Sequence, residues 1–290
     1  MKQITLFTFA FVSVFVFALF YNTQAQNKTD VSLFMKSDSI QKSEISAESG
    51  DLYNTIGHHG PAVENEWLAL RIYFSEKAAI DVYSKALPQL ELKEKEWYPT
   101  ADDQKSGWGA DYYKVGETVG LGGVRLWDGE KVVKLNPVSN RTARVVKEPA
   151  SSYMEMLSED VPYKGRKIDV LVRVTVYSGQ RNAKVEAFAL TDEPVQFVTG
   201  INYHKGQEIY RKDGLIATWG VHPEDVAAEI VELGAAIKYN PADYLMTKDD
   251  GTQFVLISKP GRQITTWISS ACAREPEINN LKKFISFLEK

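Results

Sequence analysis

Alternation of apolar and polar positions dominates this chain. It is clearest over residues 167–177, where Ile168, Val170, Val172, Val174 and Val176 fall on one face of an extended strand. A turn over 178–182 leads into a second strand at 183–190, and 195–204 reads as a third that ends on Asn202, Tyr203 and His204. Residues 208–219 form a hairpin pattern around Lys212-Asp213-Gly214, and 254–257 and 264–268 supply two more strands. Upstream, Leu68, Leu70, Ile72 and Phe74 make one core face, with Asn65, Trp67, Arg71 and Tyr73 on the other. This second face is expected to be the decorated outer side of a half-buried sheet. Residues 80–83 read as its hairpin partner; a helix over 76–87 is weakened by Pro88 and β-branched content. Val124-Arg125-Leu126-Trp127 turns at Asp128-Gly129 into 131–135.

Two stretches depart from period two. Composition allows a helix over 224–238, although Gly234 and the neighbouring strands argue against it. At the end of the chain Ile278, Leu281, Phe284, Ile285 and Leu288 recur at helical spacing, so a short terminal amphipathic helix is expected. Ten or more strands without βαβ alternation predict an all-β antiparallel sandwich in one large domain. Residues 1–25 read as a signal peptide, 26–50 as an edge strand or loosely held arm, and 51–290 as the single β-sandwich domain.

Composition narrows the function classes. A net charge of −4 over 290 residues offers no basic field for nucleic acid or an anionic membrane. Lys2, the apolar run from Ile4 to Phe20 and the small residues of Thr23-Gln24-Ala25 form a secretory leader, cleaved after Ala25. The product is then periplasmic or secreted, with no membrane association after cleavage; an uncleaved anchor is the alternative. Cys272 is the lone cysteine, so no disulfide framework exists, and it reads as a small core residue.

The chemistry-bearing residues gather at turns and loops. Gly57-His58-His59-Gly60-Pro61 places two histidines in a turn that feeds the 68–74 strand. The other two histidines are His204, at a strand end, and His222, in the Trp219-Gly220-Val221-His222-Pro223 break. Residues 93–120 read as a long functional loop rich in Pro, Gly and aromatics. Gly120-Leu121-Gly122-Gly123 after it lacks a strand–turn–helix setting, so it marks a bend or close approach rather than a dinucleotide site.

His58-His59-Gly60-Pro61-Ala62, Glu64-Asn65, Arg71-Ile72-Tyr73 and Ile80-Asp81-Val82, followed by Trp108-Gly109-Ala110-Asp111, Lys114-Val115-Gly116 and Gly120-Leu121-Gly122-Gly123, together resemble a secreted family of unknown function (DUF4861) from Bacteroidota polysaccharide-utilisation loci. The resemblance spans roughly 50 to 270. It implies a β-supersandwich of the galactose-mutarotase type and an activity like that of ulvan-oligosaccharide dehydratases, which convert a terminal uronic acid into its 4,5-unsaturated form. The implied partner is a uronate-containing oligosaccharide, sulfated or not.

Such an elimination needs a neutralised carboxylate, a base at C5 and an acid for the leaving hydroxide. Arg71, then Arg125, with Asn65 assisting, are the expected carboxylate clamp, because the guanidinium fork matches a carboxylate. A cross-strand ion pair is the competing reading for either arginine. His58, His59, His204 and His222 are the expected acids and bases, with Tyr73 and Tyr112 in reserve. Trp108 and Trp219 are candidate stacking platforms, and Asp111 either orients a histidine or holds its loop. No cofactor is expected; a divalent metal on the histidines with Glu64 or Glu66 has no ligand motif behind it. A polysaccharide lyase, a mutarotase or epimerase pairing His58 with Glu64 or Glu66, and a non-catalytic glycan-binding module are the competing functions.

Overall fold

The computed structural model describes residues 28–223 and 227–290, so the expected signal peptide and its cleavage point lie outside the described residues. The described chain forms three antiparallel sheets and a few short helices, the all-β sandwich that the alternation predicts. In chain order its strands are β1 (Thr29–Ser32), β2 (Glu44–Ala47), β3 (Ala62–Asn65), β4 (Leu68–Ile72), β5 (Ile80–Ser84), β6 (Arg125–Trp127), β7 (Val132–Val133), β8 (Asn140–Lys147) and β9 (Ser151–Tyr163). They continue as β10 (Arg166–Tyr177), β11 (Asn182–Leu190), β12 (Phe197–Asn202), β13 (Glu208–Lys212), β14 (Leu215–Val221), β15 (Glu232–Tyr239), β16 (Tyr244–Asp249), β17 (Gln253–Ser258) and β18 (Gln263–Cys272).

The largest sheet runs β13-β14-β15-β18-β11-β10-β9-β8-β2; the others run β1-β3-β4-β5 and β16-β17-β12-β6-β7. Long hairpins build the central sheet. The alternating Ile168, Val170, Val172, Val174 and Val176 of β10 are all buried in the main core, as the period of two requires. Asp128 sets the β6–β7 turn by accepting from the backbone N–H groups of Glu130 and Lys131, both at 2.8 Å. The ambiguous 224–238 segment ends in strand β15, which runs on to Tyr239, with residues 224–226 outside the described residues. Strands β1 and β2 are both sheet edges.

The terminal helix α3 (Leu281–Leu288) forms where the apolar spacing places it; α1 (Leu92–Lys95) and α2 (Ala101–Lys105) lie between β5 and β6. Asn280 caps α3 by accepting from Lys283 N–H at 3.0 Å, and Ile278, Phe284 and Leu288 pack on Leu215, Ala217, Trp219, Ala236 and Ala271. Gly234 is what lets the helix dock: a Cβ there would lie 2.5 Å from the Trp219 ring and 2.6 Å from that of Phe284.

The structure corrects the reading of β4 as half-buried. All five of its residues are buried, on both faces. The cover on the Ala69–Arg71 face is the excursion between β5 and β6, expected as a loop, which contains α1 (Leu92–Lys95) and α2 (Ala101–Lys105). Trp97 is its plug, fully buried against Ala62, Ala69 and Tyr83. Buried carboxylates hold it down. Glu64 accepts from the N–H groups of Glu91 and Leu92 at 2.8 and 3.0 Å, and Glu91 accepts from Tyr83 Oη and Gly109 N–H. Gly120, at φ +70°, returns the chain along β5; a Cβ there would lie 2.0 Å from the Ile80 carbonyl oxygen.

Candidate active site

The 3-10 turn Gly57–His59 puts His58 and His59 in the left-handed region, at φ +53° and +59°. His58 is buried. Its Nε2 lies 2.8 Å from Ser32 Oγ, and its ring sits edge-on to Phe34 and near Trp97. Burial, with the Arg71 charge adding to it, pushes His58 down to about 3 and keeps the ring neutral. A proton-transfer role at the surface, expected of it from sequence, is closed to so enclosed a ring.

His59 is half-buried and turned the other way. Its Nδ1 lies 2.6 Å from the Tyr53 carbonyl, and its ring stacks on Tyr53 at 4.0 Å. A carbonyl can only accept, so Nδ1 carries the proton and Nε2 keeps the lone pair. Burial first, then the Arg71 and Lys36 charges, hold its pKa below 6.5, while the Tyr53 carbonyl opposes them. The rings of Tyr98 and Tyr73 stand edge-on at 6.1 and 6.5 Å.

Beneath lies Arg71. Its Nε and Nη2 donate to Asp81 Oδ2, Nη2 also donates to Asp111 Oδ2 at 2.8 Å, and Nη1 donates to Tyr98 Oη at 2.9 Å. The guanidinium stacks over Trp97, 4.3 Å from the ring centroid. With its fork committed to two carboxylates, Arg71 has no bidentate face for a substrate, which corrects its expected role as the clamp. Tyr73 donates to Asp81 Oδ2 at 2.6 Å, and burial beside that carboxylate raises its pKa strongly. Tyr98 is 42% exposed and accepts the Arg71 bond; burial still raises its pKa against the pull of the guanidinium, so the phenol keeps its proton.

The other two histidines grip one residue of the excursion. His222 Nδ1 accepts from Lys114 N–H at 3.1 Å, while His204 Nε2 donates to the Lys114 carbonyl at 3.0 Å, which Asn202 Nδ2 also reaches. Their rings meet edge to face at 4.5 Å. Burial pushes His222 down to about 3, so its Nε2 bears a proton and finds no partner. That ring, Asp111 and Tyr112 line a cavity of about 20 Å³, room for about one water and for no sugar ring. These histidines position the excursion: His222 is buried, and His204, half-buried like His59, is turned to the Lys114 carbonyl.

The remaining expectations sort by the bonds they make. Asn65 is fully buried, donates to the Tyr177 and Gln180 carbonyls at 3.1 and 2.6 Å and accepts from Trp67 and Leu68 N–H, so it ties the β3–β4 turn to β10. Arg125 donates to the Glu117 and Thr118 carbonyls from a buried site. Both are buried and spent on backbone carbonyls, which corrects their expected place in the carboxylate clamp. Trp219 is packed under α3 with Nε1 donating to Glu232, and serves the core rather than a sugar. Tyr112 Oη accepts from Arg274 Nη1 at 2.9 Å, and Trp108 is half-buried below Lys95. Glu64 is spent on Lys85 and the excursion, and Glu66 on Gly179 N–H, so neither forms the expected pair with His58. Among the described residues no three His, Cys, Asp or Glu side chains converge as a metal set. Cys272 is buried, with its thiol pushed up to about 12 by burial.

Sequence reasoning missed Tyr53, Tyr98, Trp97, Asp81 and Lys36. Asp81 had a signal, since the hairpin register sets it opposite Arg71. Tyr53 and Tyr98 lie in irregular segments whose meeting no local period encodes.

A family profile described as "Domain of unknown function (DUF4861)" matches residues 16–290. No curated protein matches the chain. Among solved structures, a putative aldose 1-epimerase from Klebsiella pneumoniae subsp. pneumoniae MGH 78578 aligns at 10% identity and a TM-score of 0.38, over 84% of this chain and 91% of that one. A 4-alpha-glucanotransferase from Thermococcus litoralis aligns at 10% identity and a TM-score of 0.36, over 74% of this chain; the match spans only 38% of the glucanotransferase.

Proposed function

This chain belongs to the DUF4861 family, and we propose that it is an exported sugar-processing enzyme that removes water from a terminal uronic acid of an oligosaccharide by β-elimination. The observation that carries the reading is His59: a neutral imidazole at the surface with its proton fixed on Nδ1 and its Nε2 lone pair free, beside the protonated phenol of Tyr98. In this reading Nε2 takes the C5 proton. The C5–H electron pair becomes the C4=C5 bond as the C4–O bond breaks, and Tyr98 Oη–H protonates the departing hydroxide to water. Transfer of the proton from His59 back to Tyr98 resets the pair. Tyr98 suits the task because its oxygen already accepts from Arg71, which stabilises the phenolate that forms. Lys36, exposed and near enough to His59 to depress its pKa, is the cation offered to the uronate carboxylate in place of Arg71.

The test is incubation of the chain from Gln26 onward with oligosaccharides bearing a saturated non-reducing uronate, following the absorbance of the conjugated double bond and product mass. New absorbance with loss of one water, abolished in His59→Ala, is the expected result. Absorbance with chain cleavage would make the protein a lyase. Turnover that survives His59→Ala would overturn the assignment of the base, and no reaction with any uronate would overturn the elimination.

A further inference from the structure

A second cavity lies far from His59. It is an open groove of about 930 Å³ between the β10–β11 turn and α3, with Trp67, Gln180, Lys282, Lys283, Phe287 and Lys290 among its lining. Trp67 occupies the β3–β4 turn and Tyr73, beside His59, the far end of β4; six residues at about 3.3 Å each separate them by roughly 20 Å. The groove is a separate site at the opposite end of that hairpin.

Three features define what it would hold. Its volume falls in the range of about 300–1,000 Å³ typical of small-ligand sites. Trp67 is partly exposed, and the Arg181 guanidinium lies 3.8 Å from its ring centroid, which fixes the indole in place. Arg181 is itself neutralised by Glu275 at 2.5 Å and by Glu277 at 3.5 Å, so it acts as scaffold. Lys282 and Lys290 are different: both are exposed, and neither forms an ion pair with another described residue. Lys283 donates only to the neutral Asn279 amide. On a chain of net charge −4, three ammonium groups with no ion-pair partner, against the one lining carboxylate of Glu277, which is shared with Arg181, stand beside an indole and the Gln180 amide and make a local site of opposite sign.

We infer that this groove is a secondary, non-catalytic binding site for an anionic saccharide. A sugar ring stacks its C–H face on Trp67, the amide meets hydroxyls, and the lysines meet sulfate or carboxylate groups. The inference rests on the carbohydrate reading for its class of ligand and is independent of His59. Its logic is retention: a groove remote from the chemistry keeps a long charged chain near the enzyme and raises effective concentration at the reacting end.

Calorimetric titration tests it with three probes: a sulfated galactan oligosaccharide, the same oligosaccharide desulfated, and an oligogalacturonate. Saturable binding of one or both anionic probes, at least about tenfold tighter than the desulfated one, is expected. The Lys282→Glu, Lys283→Glu double variant should lose about tenfold or more, with binding weakened by added salt. Both positions are exposed, so the variant keeps its fold, checked by its thermal midpoint. His59→Ala should bind as the unaltered protein does, which separates failure of the groove from failure of the active-site reading. Equal binding of the neutral probe, no binding by any probe, or affinity unchanged in the double variant would each overturn the inference.

Discussion

Arg71 and Asp81 face each other directly across the β4–β5 pair, and Nε and Nη2 of the guanidinium both reach the same oxygen, Asp81 Oδ2, at 2.9 and 2.5 Å. The pair is buried together with Asp111, so one cation balances two carboxylates in the interior. Replacing Arg71 with Met would strand both acids, and unfolding in urea should show a loss of about 3–5 kcal/mol. An unchanged midpoint with a raised KM would instead return Arg71 to a substrate-binding role.

The rate should depend on pH through His59. Its pKa in the folded protein lies below 6.5, and the base must be unprotonated. Activity on the uronate substrate should therefore be on its plateau at pH 7 and fall only in acid, with a midpoint below 6.5. His59→Gln should cost about 10²–10⁴ in kcat, in the range of a positioned general base, with little change in thermal midpoint. A profile whose acid limb sits above pH 7 would point to another base.

Stability has its own acid dependence. His58 and His222 have folded pKa values of about 3 against 6.5 for the free side chain. Between those values the unfolded chain binds protons that the folded chain refuses, so stability is lost as pH falls from 6.5 toward 3. Each histidine contributes a slope of up to about 1.4 kcal/mol per pH unit. Urea midpoints measured from pH 7 to 4 should fall accordingly, and His222→Phe should flatten the slope. An unaltered slope in that variant would show that His222 does not carry it.

The docking of α3 rests on Phe284, fully buried against Trp219. Phe284→Ala should cost about 3–5 kcal/mol, read by denaturant unfolding. A neutral substitution would mean that the helix contributes little to the fold.

Asp81 marks how far the register of a hairpin could be read. The alternation through 68–83 predicts a hairpin and allows a cross-strand ion pair for Arg71, but the register that sets Asp81 opposite it, buried rather than at the surface, is found only in the structure. Asn65 and Trp219 show the other side. Their strand positions are legible, but whether an amide or an indole meets water depends on which distant segment lies over it. The two tyrosines around His59 were hidden for the same reason, being brought together from segments more than forty residues apart.

The sequence alone determined what local periodicity can encode: strands from alternation, hairpins from Asp-Gly turns, and a terminal helix from apolar residues three and four apart. These follow from backbone geometry, which each short segment feels by itself. Tertiary structure decided which polar side chains are free. Glu64 fastens the excursion, Arg71 is consumed by Asp81 and Asp111, His204 and His222 clamp Lys114, and His59 stands half-open beside Tyr98 with its Nε2 lone pair to use. Desolvation drives that sorting. A buried polar group must find its partner wherever the fold brings one, and no local pattern says where that is.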